Sequence, residues 1–146
     1  MVNSAQEKHD ILIRHAINQV PYGIVICDIK QRIVSWNETS ESLFGHKQKE
    51  VIGEIITQYF LQKNHLSDTM KNIVTAYQDN QSIPLEKILK IIGITKHDHQ
   101  KPLKCIIKPF SISNTVFIAV TIEQLDSLPS SPEQSLEDRR GVFITD

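Results

Sequence analysis

The stretch VPYGIVICDIKQRIVSWNETSESLFGHKQKEVIGE, from Val20 to Glu54, carries most of the information about the fold. It contains two β-branched runs of strand length, YGIVICD (22–28) and RIVSWN (32–37), separated by the short polar connection IKQ. Runs of this composition favour strands, and a short connection favours an antiparallel pair. The sequence therefore predicts a β-hairpin over 22–37.

Two short helices are predicted after the hairpin. Asn37 precedes ETSESLF (38–44), and its side-chain oxygen can accept hydrogen bonds from the free N–H groups of a first helical turn. Gly45 then supplies a left-handed C-terminal stop. A second short helix is predicted over KQKEVIG (47–53), again closed by a glycine. We interpret Asn37 and both glycines as scaffold residues rather than as parts of a site.

A helix is also predicted before the hairpin, over residues 5–19. Apolar side chains recur there at nearly helical spacing, and Pro21 stops the helix. One face of this helix is apolar and needs cover, which a matching helix of a second subunit could supply in a twofold dimer. The residues predicted to form this face are Ile11, Leu12, Ala16 and Val20.

The remainder of the domain changes from helical to extended patterning. A third helix is predicted over 65–79, with Leu66, Met70, Ile73, Val74 and Tyr77 on one stripe. The runs 85–96, 101–113 and 115–124 are rich in Ile, Val, Thr and Phe and are separated by HDHQ and SN, which suit tight turns. This order predicts an α+β domain, with short helices on one face of a five-stranded antiparallel sheet.

The C-terminal segment differs in composition from the domain. DSLPSSPEQSLEDRR is rich in Ser, Pro and charged residues, which is typical of a linker. GVFITD, at the end of the chain, nearly repeats GIVICD at 23–28. We interpret it as the start of a second copy of the domain; alternatively, a short strand recurs by chance and pairs with an exposed sheet edge. The predicted divisions are an N-terminal helix at 1–21, the domain at 22–123, a linker at 124–140 and the start of a repeat at 141–146.

Composition excludes several classes of protein. The chain has 146 residues, 40% of them hydrophobic, and a formal net charge of -1, which suits one soluble domain with flanking segments. Nucleic-acid and anionic-membrane partners usually require a basic face, so neither is predicted. No apolar run is long enough for a membrane span, and the polar N-terminus does not resemble a signal peptide, so we predict a cytoplasmic location. Cys27 and Cys105 are interpreted as small buried hydrophobic residues.

The Val20–Glu54 block resembles the PAS domain, the sensory module of bacterial signalling proteins. The resemblance rests on a G-I-x-x-x-D strand, an I-V-x-W-N strand, a helix ending in L-F-G and the following E-V-I-G. It extends over about residues 17–123 and departs from the family at Gln31, where a glycine is usual. The resemblance implies a non-catalytic sensor and dimerisation module, a homodimer that acts as the input of a histidine kinase or a cyclic-di-GMP turnover enzyme. A separate output domain of the parent protein would receive the signal.

The resemblance also implies a ligand pocket between the helices and the sheet, for a small molecule. The pocket candidates are Ile26, Trp36, Tyr59, His65, Met70, Ile73, Ile107 and Phe117. Two alternatives stay open at this point. Either the pocket receives a ligand, or it is filled by its own side chains and the domain serves as a protein-interaction scaffold.

No resident cofactor is the favoured expectation, with heme and flavin as the alternatives. In heme-binding PAS domains a histidine on the corresponding helix binds the iron; here His65 lies about one helical turn early, and Met70 lies nearer the expected place. Trp36 could stack on a flavin or pack in the core. We predict no metal site at the KHDHQ turn (96–100), and no catalytic residue, because no motif offers paired acid, base or nucleophile roles.

Overall fold

The computed structural model describes residues 4–82 and 85–126. This part of the chain begins with helix α1, continues through a hairpin and a block of helices, and ends in three long strands. The elements are α1 (Ser4–Gln19), β1 (Gly23–Asp28), β2 (Ile33–Trp36), α2 (Glu38–Phe44), α3 (Gln48–Val51), a 3-10 helix (Ile56–Tyr59), α4 (Lys63–Asp79), β3 (Lys87–Ile94), β4 (Gln100–Ile112) and β5 (Thr115–Gln124).

The five strands form one antiparallel sheet in the order β2-β1-β5-β4-β3. Within the described residues, the first strand therefore pairs with the last, with Gly23 opposite Ile122 and Asp28 opposite Phe117. The predicted α+β architecture is confirmed. The 3-10 helix was not predicted, because a single turn of four residues leaves no periodic pattern in a sequence.

A β-bulge brings both ends of β2 into the core. In β1, Val25 and Cys27 are buried, as strict alternation requires. In β2 the register shifts opposite Ile26 and Cys27, so that two exposed residues separate the buried side chains of Ile33 and Trp36. Without the extra residue that the bulge inserts into β2, Ile33 and Trp36 would lie on opposite faces of the sheet.

The block of helices covers this inner face of the sheet. From α2 and α3, Phe44 and Val51 are buried against it. Four of the five residues of the predicted α4 stripe are buried, namely Leu66, Met70, Ile73 and Val74. Tyr77, the fifth, is half-buried, and its hydroxyl lies 3.0 Å from Ser111 Oγ. The core therefore lies between α2–α4 and the sheet, and α1 contributes no buried residue to it.

The predicted caps of α2 are confirmed. Asn37 has extended backbone angles, and its Oδ1 accepts a hydrogen bond from Ser40 N at 3.0 Å. Gly45 ends the helix with φ 80°, in the left-handed region that glycine adopts without strain. These residues fix where the segment after β2 turns away from the sheet.

The C-terminal prediction falls mostly outside the described residues. Strand β5 ends at Gln124, next to the predicted domain boundary at 123, and the description ends at Asp126. The predicted repeat at 141–146, and nearly all of the predicted linker at 124–140, lie beyond that point. Among the helices of the described residues, none has both the length and the apolar character to span a bilayer.

Candidate functional site

The space between the helices and the sheet is occupied by aromatic side chains. The ring centroids of Trp36 and Phe44 lie 5.2 Å apart, and those of Trp36 and Tyr59 lie 5.6 Å apart. Phe60 meets Phe44 edge-on at 5.6 Å. Tilted and edge-to-face pairs of this kind are the favourable arrangements for aromatic rings. The interior is thus filled, next to β2, by side chains of the chain itself.

The indole of Trp36 makes ring contacts and a hydrogen bond through its nitrogen. Its Nε1 donates a hydrogen bond to the carbonyl oxygen of His46 at 3.1 Å, while its ring contacts Phe44 and Tyr59. Only 2% of Trp36 is exposed. These contacts match the packing role that the sequence left open beside flavin stacking.

Five of the eight predicted pocket residues lie together on the helix side of the sheet. They are all buried and belong to one hydrophobic core. They are Trp36, Tyr59, Met70, Ile73 and Ile107. If a small molecule enters the domain, these residues surround the space that it would occupy.

Ile26 and Phe117 lie on the opposite face of the sheet, which corrects their assignment to the helix-side pocket. Successive strand residues point to opposite faces, and the buried residues are Val25 and Cys27 in β1 and Ile118, Val120 and Ile122 in β5. Phe117 stacks on Phe110 at 5.6 Å, with an angle of 26° between the ring planes. Their apolar character made them pocket candidates, but their parity along β1 and β5 places them on the outer face.

His65 does not fit a heme bound in the interior. It is exposed on α4, whereas Met70 is fully buried. Five helical residues correspond to a rotation of about 140°, so the two side chains point in different directions. This corrects the pocket assignment of His65. Met70 fits interior packing, where a flexible thioether fills irregular space.

A polar cluster links α3 to the β3–β4 turn beside the aromatic rings. Lys96 Nζ donates to Glu50 Oε2 at 3.0 Å, and Lys47 N donates to Glu50 Oε1 at 2.7 Å. The hydrogen bond from Lys47 N, followed by that from Lys96, lowers the pKa of Glu50. The rings of His46 and Tyr59 pack at a tilt, with their centroids 5.1 Å apart and an angle of 59° between the ring planes. Burial first, and then the negative charges of Glu54 and Glu50, raise the pKa of Tyr59.

Both cysteines are free, buried and unreactive. Burial, with a smaller contribution from Asp28, raises the pKa of Cys27 to about 12, and burial alone raises that of Cys105 to about 12. A thiol is a nucleophile only as the thiolate, so neither residue offers covalent chemistry at neutral pH. Within residues 4–82 and 85–126, no three His, Cys, Asp or Glu side chains are grouped so that they could hold a metal ion.

Helix α1 presents its apolar side chains to solvent. The exposed fractions are 50% for Ile11, 66% for Leu12, 45% for Ile13 and 39% for Ile17. At 100° per residue, Leu12, Ile13, Ala16 and Ile17 share one side of the helix. Ile11 is turned about 140° from Ala16 and lies on the other side, which corrects the predicted stripe. The prediction missed Ile13 and Ile17, although a rotation of about 100° per residue along the sequence places them on this side.

An open groove separates α1 from the segment that joins β2 to α3. Its volume is about 820 Å³, and Ile13 and Ile17 of α1 and Trp36 of β2 are its apolar members. The other lining residues are polar or charged: Gln6, His9, Asp10, Arg14, Asn18, Ser35, Asn37, Glu38, Glu41 and Gln48. The sequence did not reveal this groove, because its two walls come from separate amphipathic or polar segments. Its open, charged character suits a surface contact better than enclosure of an apolar ligand.

Comparison with known proteins identifies the fold. Residues 12–106 match a family model described as the PAS fold. The PAS domain of a protein from Colwellia psychrerythraea is 21% identical, with a TM-score of 0.61, and the match covers 79% of this chain and 97% of that chain. A search of the curated proteins finds no match.

Two further solved structures come from signalling proteins. The PAS domain of nitrogen regulation protein NR(II) from Vibrio parahaemolyticus is 13% identical with a TM-score of 0.63, covering 78% of this chain and 98% of that one. The PAS domain of the Cronobacter turicensis RpfR quorum-sensing receptor, in complex with BDSF, is 18% identical with a TM-score of 0.54, covering 75% and 98%. At these identities the similarity shows the fold, and the family model covers more than half of the chain. The chain therefore belongs to the PAS family of sensory domains.

Proposed function

We propose that this chain is the sensory and dimerisation module of a bacterial histidine kinase or cyclic-di-GMP turnover enzyme, acting in the cytoplasm. PAS domains are generally non-catalytic, and we assign any catalysis to an output domain elsewhere in the parent protein. The occurrence of similar domains in a nitrogen regulation protein and in a quorum-sensing receptor supports a signalling role. The quorum-sensing receptor domain was solved with BDSF, which supports a small molecule as one source of signal.

The observation that carries the proposal is the apolar side of α1. No residue of this 16-residue helix is buried, although Leu12, Ile13 and Ile17 are large apolar residues on one side of it. Contiguous exposed apolar surface usually marks an interaction site. The same side in a second copy is the simplest complement, because a twofold axis pairs identical surfaces.

A signal then reaches the output domain as a change in how two subunits pack. A ligand, redox or partner event shifts the population of two arrangements of the domain, provided that it favours one of them. Helix α1 precedes the domain in the sequence and the segment after β5 follows it, and we assign the relay to both. The predicted repeat at 141–146 is kept as the proposed continuation of the parent chain.

The mass of the protein in solution, measured by light scattering, tests the dimer. We expect a dimer at tens of micromolar, and monomers for Leu12→Glu and Ala16→Glu, because each places a charge in the apolar contact. Ile11→Glu is the matched control, since it adds the same charge to the other side of α1 and should leave the dimer intact. A monomeric native protein would contradict the proposal, as would dissociation by Ile11→Glu to the same extent.

A second candidate function, a protein-interaction scaffold, is favoured by the filled interior. Trp36, Phe44, Phe60 and Met70 are each at most 2% exposed and occupy the region where a PAS ligand would bind. In this case a partner protein, rather than a small molecule, delivers the signal or is simply positioned by the domain. The two candidates differ in whether the purified protein carries or binds a small molecule.

A further inference from the structure

The last turn of α1 and the residues after it are hydrogen-bonded to the segment that leads from β2 into α2. The side-chain Nδ2 of Asn37 donates to the carbonyl oxygens of Ile17, at 3.3 Å, and Tyr22, at 3.0 Å. The Oγ1 of Thr39 donates to the carbonyl oxygen of Val20 at 2.8 Å. The Ile17 carbonyl is one of those that a helix end leaves without partners, and Val20 and Tyr22 follow the helix directly. The α1 joint is defined as residues 17–22 together with residues 37–39.

Asn37 also bonds in the opposite direction, toward the sheet and α2. Its Oδ1 accepts from Ile24 N at 2.9 Å and from Ser40 N at 3.0 Å. Glu38 N donates to Asn18 Oδ1 at 3.1 Å, which adds another bond to α1. One side chain thus connects α1, β1 and α2, with its nitrogen facing α1 and its oxygen facing the domain. Because the nitrogen and the oxygen of this side chain make different hydrogen bonds, one substitution can break those of the nitrogen and keep those of the oxygen.

We propose that the α1 joint transmits changes in the interior of the domain to α1. Trp36 precedes Asn37 in the chain and contacts the rings of Phe44 and Tyr59, so a shift of this cluster moves the backbone that carries Asn37. Since no residue of α1 is buried, the hydrogen bonds of its last turn, rather than packing, fix its orientation. The proposal rests on the proposed function, because it names the residues through which the relay reaches α1.

Asn37→Asp separates the two roles of this side chain. An aspartate keeps an oxygen for Ile24 N and Ser40 N and caps α2 equally well. Its second oxygen faces the carbonyl groups of Ile17 and Tyr22, to which it cannot donate when ionised. Thr39→Val then removes the hydroxyl bond to Val20, the residue after α1, with little change in shape. Thr75→Val is the matched control, because Thr75 Oγ1 donates to the Lys71 carbonyl within α4 at 3.0 Å.

The orientation of α1 is measured as the distance between two spin labels. Lys8→Cys on α1 and Asn72→Cys on α4 are exposed positions for the labels. The native thiols of Cys27 and Cys105 are 0% exposed, so the labelling reagent has no access to them in the folded protein. Diluting the labelled protein in an excess of unlabelled protein restricts the measured distances to one chain.

We expect one narrow distance distribution in the otherwise native protein and in Thr75→Val. The double variant Asn37→Asp/Thr39→Val should broaden it, because each hydrogen bond lost raises the population of detached orientations about fivefold. The melting temperature of the double variant, measured in parallel, reports whether the core is intact. A narrow distribution in a folded double variant would overturn the proposal, as would a broad distribution in the native protein.

Trp36→Phe tests the connection between the interior and α1. In the native background we expect it to shift the mean label distance, and in Asn37→Asp/Thr39→Val we expect that shift to disappear. An equal shift in both backgrounds would overturn the proposed route. Failure of the proposed function is recognised separately: a monomeric protein in light scattering contradicts the dimer, whereas the label distances within one chain are unaffected by that result.

Discussion

At the scale of single residues, Gln31 occupies a position where a PAS sequence usually has glycine. Its φ of 68° lies in the left-handed region, which costs a residue with a Cβ about 1–2 kcal/mol. Its side chain is nevertheless buried, and its Nε2 donates to the carbonyl oxygen of Ser67 at 3.1 Å. The turn keeps the shape that glycine would give it, and the side chain ties the β1–β2 hairpin to α4.

Substitutions at Gln31 separate backbone strain from side-chain contact. Gln31→Gly removes the backbone strain and the side-chain contact together. Since these two losses have opposite effects, we expect the free energy of unfolding to change by less than about 1 kcal/mol. Gln31→Ala keeps the strain and loses the contact, and should lower it by about 1–2 kcal/mol. Urea unfolding followed by tryptophan fluorescence measures both. An alanine variant as stable as the glycine variant would show that strain does not govern this turn.

At the scale of elements, Glu50 and Lys96 connect α3 to the β3–β4 turn. Lys96 also donates its backbone N–H to the Phe44 carbonyl oxygen at 2.8 Å, so α2, α3 and the turn are held together. The pKa of Glu50 is lowered from 4.5 by the hydrogen bonds from Lys47 N and Lys96 Nζ. A lowered folded-state pKa contributes stability above the unfolded value of about 4.3, and the contribution is lost as the pH falls through the lower folded value.

Glu50→Gln is therefore expected to destabilise the protein at pH 7 and to approach the stability of the native protein in acid. The difference in the free energy of unfolding between the native protein and Glu50→Gln should shrink once the pH falls below the pKa of an unfolded carboxyl, about 4.3. Urea midpoints across this pH range measure it. Glu123→Gln, at the end of β5, removes the same charge away from this contact and serves as the control. A Glu50→Gln deficit that is constant with pH would contradict an electrostatic origin.

Sequence patterns predicted the elements better than the details of their contacts. The caps Asn37 and Gly45, and the α4 stripe with Met70, depend on local rules, and each is confirmed. The bulge in β2 and the outward parity of Ile26 depend on register, which a β-branched run does not reveal. The candidate site was therefore predicted only in its helix-side part.

At the scale of the whole molecule, the filled interior predicts a protein without a resident cofactor. We expect an absorption spectrum with no visible band, and no small molecule released on denaturation for mass spectrometry. A panel of fatty acids tests added ligand, since binding at 100 times Kd would stabilise the fold by about 2.7 kcal/mol and raise the melting temperature by several degrees. A heme or flavin band, a released molecule or such a shift would contradict the expectation and favour the ligand-sensing candidate.

At this scale, sequence patterns did not predict contacts between segments that are far apart in the chain. The groove beside α1 and the α1 joint both bring residues 17–22 next to residues 35–48. Asn37 was correctly predicted as a cap, but its amide nitrogen has partners in α1 and at Tyr22 that no local pattern encodes. Contacts between separate segments depend on tertiary packing, which leaves no local pattern in the sequence.

The strand order also determines when this domain can fold as it is synthesised. Because β1 pairs with both β2 and β5, one edge of β1 has no partner until β5, the last strand of the described residues, leaves the ribosome. A nascent chain that ends at residue 106, where the family match ends, holds β1–β3 and only part of β4. Closing the sheet across so long a loop is slow. Until β5 is available, β1 therefore has one unpaired edge, and the pairing of β1 with β5 completes the sheet in a late step.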